Sequence, residues 1–413
     1  MNNKQKVNLS NKEEFISIIG ENTKKNYSFY KYMYGVLVPD KSSPLSCVSV
    51  ANNSLSIDLW TGCALQCAYC HVQGIAEDIN WSTKRMRTKP IRRNEFTIKN
   101  IVDELVKHPF FEKDKTIISI GTSSTEPFAQ GEVLQSTIDI MNYFIECDFK
   151  NPFWIVTKAG VPSSAVEELK TIASKVKKLI ISICYAGNKR EIEPSRINRF
   201  RNIEKFTKED NISFNWYLRP FNIEWFDSKE HFVESMFKEI SEKYEDYIDS
   251  IIPGGLRWTE GIEYGICEAR NLKLPKLIKE NNIKTMESDM WRQFDQMKAK
   301  YFPNTQMYRH SSCGISFALN KGNICLAQLF NKHSCEASFC TDKQRSKCRS
   351  MIQKISDKQN LENLNSKLSN IGFEVKINSI NIETGGITTT PELKELSPAV
   401  RTAFKHLIAS EVS

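Results

Sequence analysis

The stretch "TGCALQCAYCHVQG", Thr61 to Gly74, places three cysteines on one short run of chain. Three residues separate Cys63 from Cys67, and two separate Cys67 from Cys70. The run follows "LSIDLW" (55–60), a short apolar segment that reads as a strand. The thiols therefore crowd a loop at a strand's end. What such a loop is for decides which kind of β/α protein this is.

Working outward, short strand-like runs alternate with longer helical stretches. Helical patterns are expected over 97–108, 131–147, 163–176, 191–208 and 228–246. Between them lie apolar runs expected to be strands: "KTIISIG" (115–121), "PFWIVTK" (152–158), "KLIISICY" (178–185), "ISFNWYL" (212–218) and "IDSIIPGG" (248–255). Alternation of this kind implies parallel strands buried on both faces. Six units fall short of the eight that close a full barrel. The expected fold is α/β, a partial (β/α)6 barrel, with a doubly wound open sheet as the alternative. In both, ligands gather at the C-terminal ends of the strands, where the three cysteines stand.

Four segments are expected: a polar lead-in over 1–50, the partial barrel over 51–300, a cysteine-rich segment over 301–350, and a small α/β appendage over 351–413. In the last, "FEVKINSINIETGGITTT" reads as strands around a Gly-Gly turn, flanked by helices near 356–370 and over "PAVRTAFKHLIASEV". No 18-residue apolar run is present, so no membrane span is expected. The N-terminal "MNNKQKVNLSNKEEF" has no apolar core of a signal peptide, which points to a cytoplasmic, reducing setting. Grouped thiols in that setting suggest metal rather than disulfides.

The chain carries 12 cysteines. Cys47, Cys147, Cys184 and Cys267 are scattered and read as small buried apolar side chains. Net charge is +8, sharper locally: seven Lys/Arg against one acid from Ser82 to Lys99, and seven against two from Tyr301 to Ser350. Such stretches suit an anionic partner or a solvated basic face.

Four thiolates complete a tetrahedral zinc site or an iron–sulfur cluster. Three hold three irons of a cubane and leave one iron without a protein ligand, free to bind a small chelating molecule. Here the spacing resembles the signature of the radical S-adenosylmethionine superfamily. The resemblance implies that Cys63, Cys67 and Cys70 bind a [4Fe–4S] cluster and that S-adenosylmethionine chelates the open iron. Reductive cleavage would then yield a 5′-deoxyadenosyl radical, with a flavodoxin- or ferredoxin-type protein as reducing partner. Tyr69, just before the third cysteine, matches the family's aromatic residue and would lie against the adenine. The alternatives are zinc or free thiols.

Three further segments resemble the spore photoproduct lyase-like branch. "IISIGTSSTEPFAQGE" (117–132) matches its second-strand segment at Glu126, Pro127, Phe128 and Glu132. This places Ser123, Ser124, Thr125 and Glu126 where the methionyl amine is held. "WIVTKAGVPSS" matches at Thr157 and Lys158, and the stretch over 180–206 matches at Ser182, Glu193, Pro194 and Arg199. Tyr69, Ser123, Ser124, Thr125, Glu126, Lys158, Ser182 and Glu193 are thus the implied cofactor contacts. The chain departs from the pattern at His71, where many members have Tyr, and at Ser-Ser-Thr-Glu in place of Thr-Asp.

The second cysteine group lies in "HSSCGISFALNKGNICLAQLFNKHSCEASFCTDKQRSKC". "GISFALNKGNICLAQL" reads as a β-hairpin turning at Asn-Lys-Gly-Asn. By resemblance to relatives with such a tail, Cys313, Cys335, Cys340 and Cys348 are expected to ligate a second iron–sulfur cluster, or zinc, with Cys325 in reserve. The expected substrate is nucleic acid or a nucleotide-like anion. A peptide substrate and a metal-stabilised nucleic-acid-binding protein are the alternatives.

Overall fold

The computed structural model describes residues 30–33, 36–39, 44–50, 54–65, 67–70, 89–93, 95–108, 110–122, 124–187, 199–222, 232–256, 260–263, 266–267, 286, 288–323, 340–370, 375–381, 386–392 and 406. The fold is α/β with a mostly parallel central sheet. The chain forms two compact units that interleave in sequence. One takes residues 1–57, 94–119 and 319–413; the other takes 58–93 and 120–318. The boundaries fall within two of the four expected segments, 51–300 and 301–350.

In the first unit, strands β1 (Tyr30–Met33), β2 (Val36–Pro39), β3 (Val48–Val50) and β4 (Leu55–Ile57) form an antiparallel meander. The lead-in is therefore partly strand. Strands β1 and β2 are only four residues long, too short to stand out in a stretch that is polar overall. Beyond the β5–β6 hairpin (Trp60–Thr61 with Ile91–Arg92) comes helix α1 (Ile98–Leu105). Thr97 caps it by accepting from the Asn100 N–H, and Asn100 answers with a bond from the Thr97 N–H. The next strand, β7 (Ile118–Ile120), lies beside β4, and Leu55 N–H donates to Ile117 O at 3.0 Å. The C-terminal strands Lys376–Asn381 and Gly386–Thr390 pair antiparallel across the Gly-Gly segment, as expected.

In the second unit, β8 (Phe153–Thr157), β9 (Leu179–Cys184), β10 (Ile212–Tyr217), β11 (Ser250–Ile251) and β12 (Gln306–Met307) lie side by side, all parallel. Helices α2 (Glu132–Glu146), α3 (Val166–Lys175) and α4 (Phe232–Tyr244) connect or follow them. Strands β9 and β10 are buried at every residue, which is why they read as unbroken apolar runs. Trp216 of β10 packs on Phe237 of α4 at 4.8 Å and on Phe302 at 5.7 Å. Each such fully buried ring contributes on the order of 1.5–3 kcal/mol through area removed from water.

Two expectations fail within the described residues. The hairpin expected from Gly314 begins instead as a helix, Ser311–Ala318. Ser316 Oγ bonds back to Ser312 O, and the chain leaves through Asn320 in the left-handed region (φ 57°). The Asn-Lys-Gly signal thus marks a helix end rather than a hairpin turn. The helix expected over 191–208 is, from Arg199 onward, turns and one 3-10 turn at Ile203–Lys205. The remainder of that helix, and that expected over 397–411 apart from His406, lie outside the described residues. Among the described residues no helix is long and apolar enough to cross a membrane.

Candidate metal and cofactor site

The cysteine loop grows from the β5–β6 hairpin. Trp60 pairs with Arg92 and Thr61 with Ile91, and Arg93 N–H donates to Leu59 O at 3.0 Å. The chain turns out of β5 at Gly62, whose φ of 84° suits glycine. A tight turn follows, with Cys70 N–H donating to Cys67 O at 3.1 Å. Cys67, Ala68 and Tyr69 are buried with Leu256, Ile262 and Ile266, and Leu65, Cys70 and Cys267 pack against that cluster. Apolar residues from a distant part of the chain thus hold the loop, and a fourth thiol, Cys267, joins it.

The loop after β7 is fastened to its neighbours by side chains. Ser124 Oγ donates to Asp58 Oδ1 at 3.1 Å, both buried. Glu126, only 6% exposed, accepts three hydrogen bonds: from Thr157 Oγ1 (2.5 Å), Lys158 N–H (2.8 Å) and Phe128 N–H (3.2 Å). A carboxylate has about four acceptor sites, so the side chain is mostly committed to tying this loop to the end of β8. Thr157 Oγ1 also accepts from Ala159 N–H at 3.0 Å. Pinned there, Lys158 places its ammonium 4.7 Å from the centre of the Tyr69 ring.

These groups share one electrostatic environment. Burial pushes the Cys63 thiol up to about 11, with Cys70 and Glu126 adding to the rise. The Leu65 backbone N–H and Lys158 pull the other way. A metal bound at Cys63 displaces that proton. The Thr122 and Thr125 hydroxyls, in the same post-β7 loop, are buried without a hydrogen-bond partner among the described residues.

The structure thus brings Cys63, Cys70, Glu126 and Lys158 within electrostatic range of one another, and Lys158 onto Tyr69. It places Ser124 on Asp58 and Ser182 beneath Trp154, whose Nε1 donates to Ser182 Oγ at 3.0 Å. Ser123, His71 and Glu193 lie outside the described residues, as do Cys325 and Cys335. Arg199 is buried and donates to Cys184 O at 2.7 Å. Glu132 opens α2 on its exposed side. Among the described residues, no three Cys, His, Asp or Glu side chains are gathered closely enough to hold a single metal ion. By chemistry alone, three thiols on one turn are a donor set of the kind that ligates an iron–sulfur cluster.

Of the second cysteine group, Cys313 lies in the second unit, and Cys340 and Cys348 in the first. Cys348 Sγ accepts Asn323 N–H at 3.2 Å, the kind of bond that supports a ligating thiolate. Burial pushes its thiol up, against the Asn323 and Gln344 hydrogen bonds and Lys347. Gln344 Nε2 in turn donates to Lys321 O at 2.7 Å. Cys340 immediately precedes Thr341, the cap of the helix Asp342–Ser356.

Two residues of the site were not legible beforehand. Asp58 was visible as a lone acid inside "LSIDLW" but read as strand. Cys267 is nearly two hundred positions from the cysteine loop, so no spacing could have flagged it. Comparison with protein-family models gives no match, and comparison with curated proteins gives none.

Proposed function

We propose that this chain is a radical S-adenosylmethionine enzyme acting on a nucleic-acid or nucleotide-like substrate, built on a partial β/α barrel. The observation that carries the reading is the convergence of the Cys63-Cys67-Cys70 turn with Glu126, Lys158 and Tyr69, contributed by three separate stretches of chain. A [4Fe–4S] cluster on the three thiolates, with S-adenosylmethionine on its fourth iron, would supply a 5′-deoxyadenosyl radical. Within that reading each residue has a task. The three cysteines hold the cluster. Tyr69 offers a ring face to the adenine, and Lys158 holds that ring in place. Glu126 and Ser124 fix the loop whose Thr122 and Thr125 hydroxyls are free to bond a polar ligand.

The nucleic-acid preference rests on charge beside the site. Arg92, on the strand that pairs with the base of the cysteine loop, and Lys89, just before that strand, are exposed. The peptide alternative leaned on a hairpin starting at Gly314, and the helix Ser311–Ala318 removes that support. Cys313, Cys335, Cys340 and Cys348 remain the candidate ligands of a second cluster or of zinc, and a flavodoxin- or ferredoxin-type protein the candidate electron donor.

The reading is tested by anaerobic reconstitution with iron and sulfide, followed by EPR of the reduced protein. A cubane signal whose g-values change when S-adenosylmethionine is added supports it. A colourless protein holding zinc at these cysteines refutes it.

A further inference from the structure

One face of the parallel strands in the second unit carries a polar row across an otherwise apolar sheet. Register sets Ser182 of β9 beside Asn215 of β10, and Asn215 beside Ser250 of β11. Trp154 of β8 donates to Ser182 Oγ, and Ser250 Oγ donates to Asn215 Oδ1 at 2.9 Å. Asn215 has no solvent exposure, and its Nδ2 has no hydrogen-bond partner among the described residues. A buried donor left in that state costs about 1–3 kcal/mol, which a bound acceptor would recover.

Strand alternation carries the same face upward to Tyr217, the last residue of β10. Arg219 follows in a turn, its N–H donating to Tyr217 O at 2.9 Å. Tyr217 shares this face with Trp154, their rings meeting edge-on at 6.5 Å. The Arg219 guanidinium lies 4.3 Å from the centre of the Tyr217 ring. Gly254, just past β11, gives it room: a Cβ there would stand 2.9 Å from Arg219 Nε. The backbone holds this arrangement, with Gly254 N–H donating to Leu218 O (3.1 Å) and Phe221 N–H donating to Gly254 O (3.0 Å). Arg219 Nε is buried without a hydrogen-bond partner, and no carboxylate pairs with the guanidinium among the described residues.

A guanidinium stacked on a ring, cleared by a glycine and lacking an acid is pre-set for a planar, bidentate oxyanion. Its place is the C-terminal end of a parallel strand, where ligands of such sheets bind. We infer that Arg219, on the Tyr217 platform and with the Asn215 amide below it, is an oxyanion-binding site that anchors a ligand over the strand ends. The oxyanion is a phosphate of the nucleic-acid substrate. This inference rests on the function proposed above.

The test uses reconstituted holoprotein and two probes: a ten-residue single-stranded oligothymidylate, followed by fluorescence anisotropy, and S-adenosylmethionine, followed by equilibrium dialysis. Arg219→Met is expected to weaken oligonucleotide binding at least tenfold with S-adenosylmethionine affinity unchanged, and Arg219→Lys to restore only part of the loss, because an ammonium lacks the fork. Gly254→Ala should reproduce the loss with the arginine still present, and it serves if Arg219→Met does not fold. A loss confined to S-adenosylmethionine binding overturns the inference. Arg292, exposed and paired with Asp289, is the control. Wild-type affinity for the oligonucleotide in all three variants also overturns it, as does an equal loss in Arg292→Met or a wild type that does not bind the oligonucleotide. If the wild type still shows the S-adenosylmethionine-dependent EPR change, only the inference fails; without that change, the functional reading fails too.

Discussion

The Glu126 carboxylate accepts the Thr157 hydroxyl at 2.5 Å and, through its other oxygen, the Lys158 N–H at 2.8 Å. Two strand-end loops are thereby made one rigid piece. The bond to Lys158 N–H aims that side chain: fastening the backbone where β8 ends leaves the ammonium to lie over Tyr69. A carboxylate that the sequence marks as a direct cofactor contact acts first as a positioning residue.

Removing the Glu126 side chain strands a buried hydroxyl and two backbone donors. Glu126→Ala is expected to cost about 2–4 kcal/mol of stability, since each unsatisfied group costs roughly 1–3 kcal/mol and solvent relieves part of it. Glu126→Gln keeps acceptor oxygen and should lose less than half as much. Urea unfolding midpoints of the three proteins measure this. An alanine variant as stable as wild type would remove the clamp from the account.

Much of this was legible in the chain because burial on both faces writes a strand as an apolar run. "WIVT", "LIISIC" and "ISFNWY" needed nothing more to be read as β8, β9 and β10. Strands β1, β2 and β12 are only two to four residues long, too short to write such a run into the sequence. The helix Ser311–Ala318 escapes such a reading because an Asn in the left-handed region, here Asn320, ends helices as readily as it turns hairpins. The cysteine turn was conspicuous from spacing alone. The contacts that surround it, Asp58 with Ser124 and Cys267 against Cys67 and Tyr69, arise from tertiary packing between residues far apart in sequence.

Lys158 and Tyr69 test the proposed adenine contact. Lys158→Met keeps a long apolar stem and removes the cation, losing about 0.5–1 kcal/mol of cation–π attraction. Affinity for S-adenosylmethionine should fall several-fold with iron content unchanged, read by equilibrium dialysis and iron assay on the same samples. Iron that falls together with affinity would make Lys158 a folding residue instead.

Acid sensitivity has a specific source in the first unit. Burial, with His406 nearby, pushes the His108 imidazole down to about 3, and its Nδ1 accepts Phe110 N–H at 3.0 Å. Native His108 is therefore neutral, while the unfolded chain takes up a proton near 6.5. Between those values the unfolded state binds more protons, so stability is full above 6.5 and declines as pH falls towards 3. The slope approaches about 1.4 kcal/mol per pH unit. His108→Phe should flatten this decline in urea midpoints from pH 7 to 4. An unchanged slope would place the acid-sensitive group elsewhere.

On the proposed reading, the second cysteine group acts apart from the first. Cys340→Ala should lower iron per chain while leaving part of the S-adenosylmethionine cleavage, because the first cluster does not depend on it. Iron equal to wild type would remove the second centre.

The most direct test of the central claim is the release of 5′-deoxyadenosine from S-adenosylmethionine by anaerobically reconstituted protein given dithionite. The account predicts reductant-dependent release from the wild type and none from Cys67→Ala. Equal release from that variant, or no release from wild-type protein with its full iron and sulfide, would contradict it.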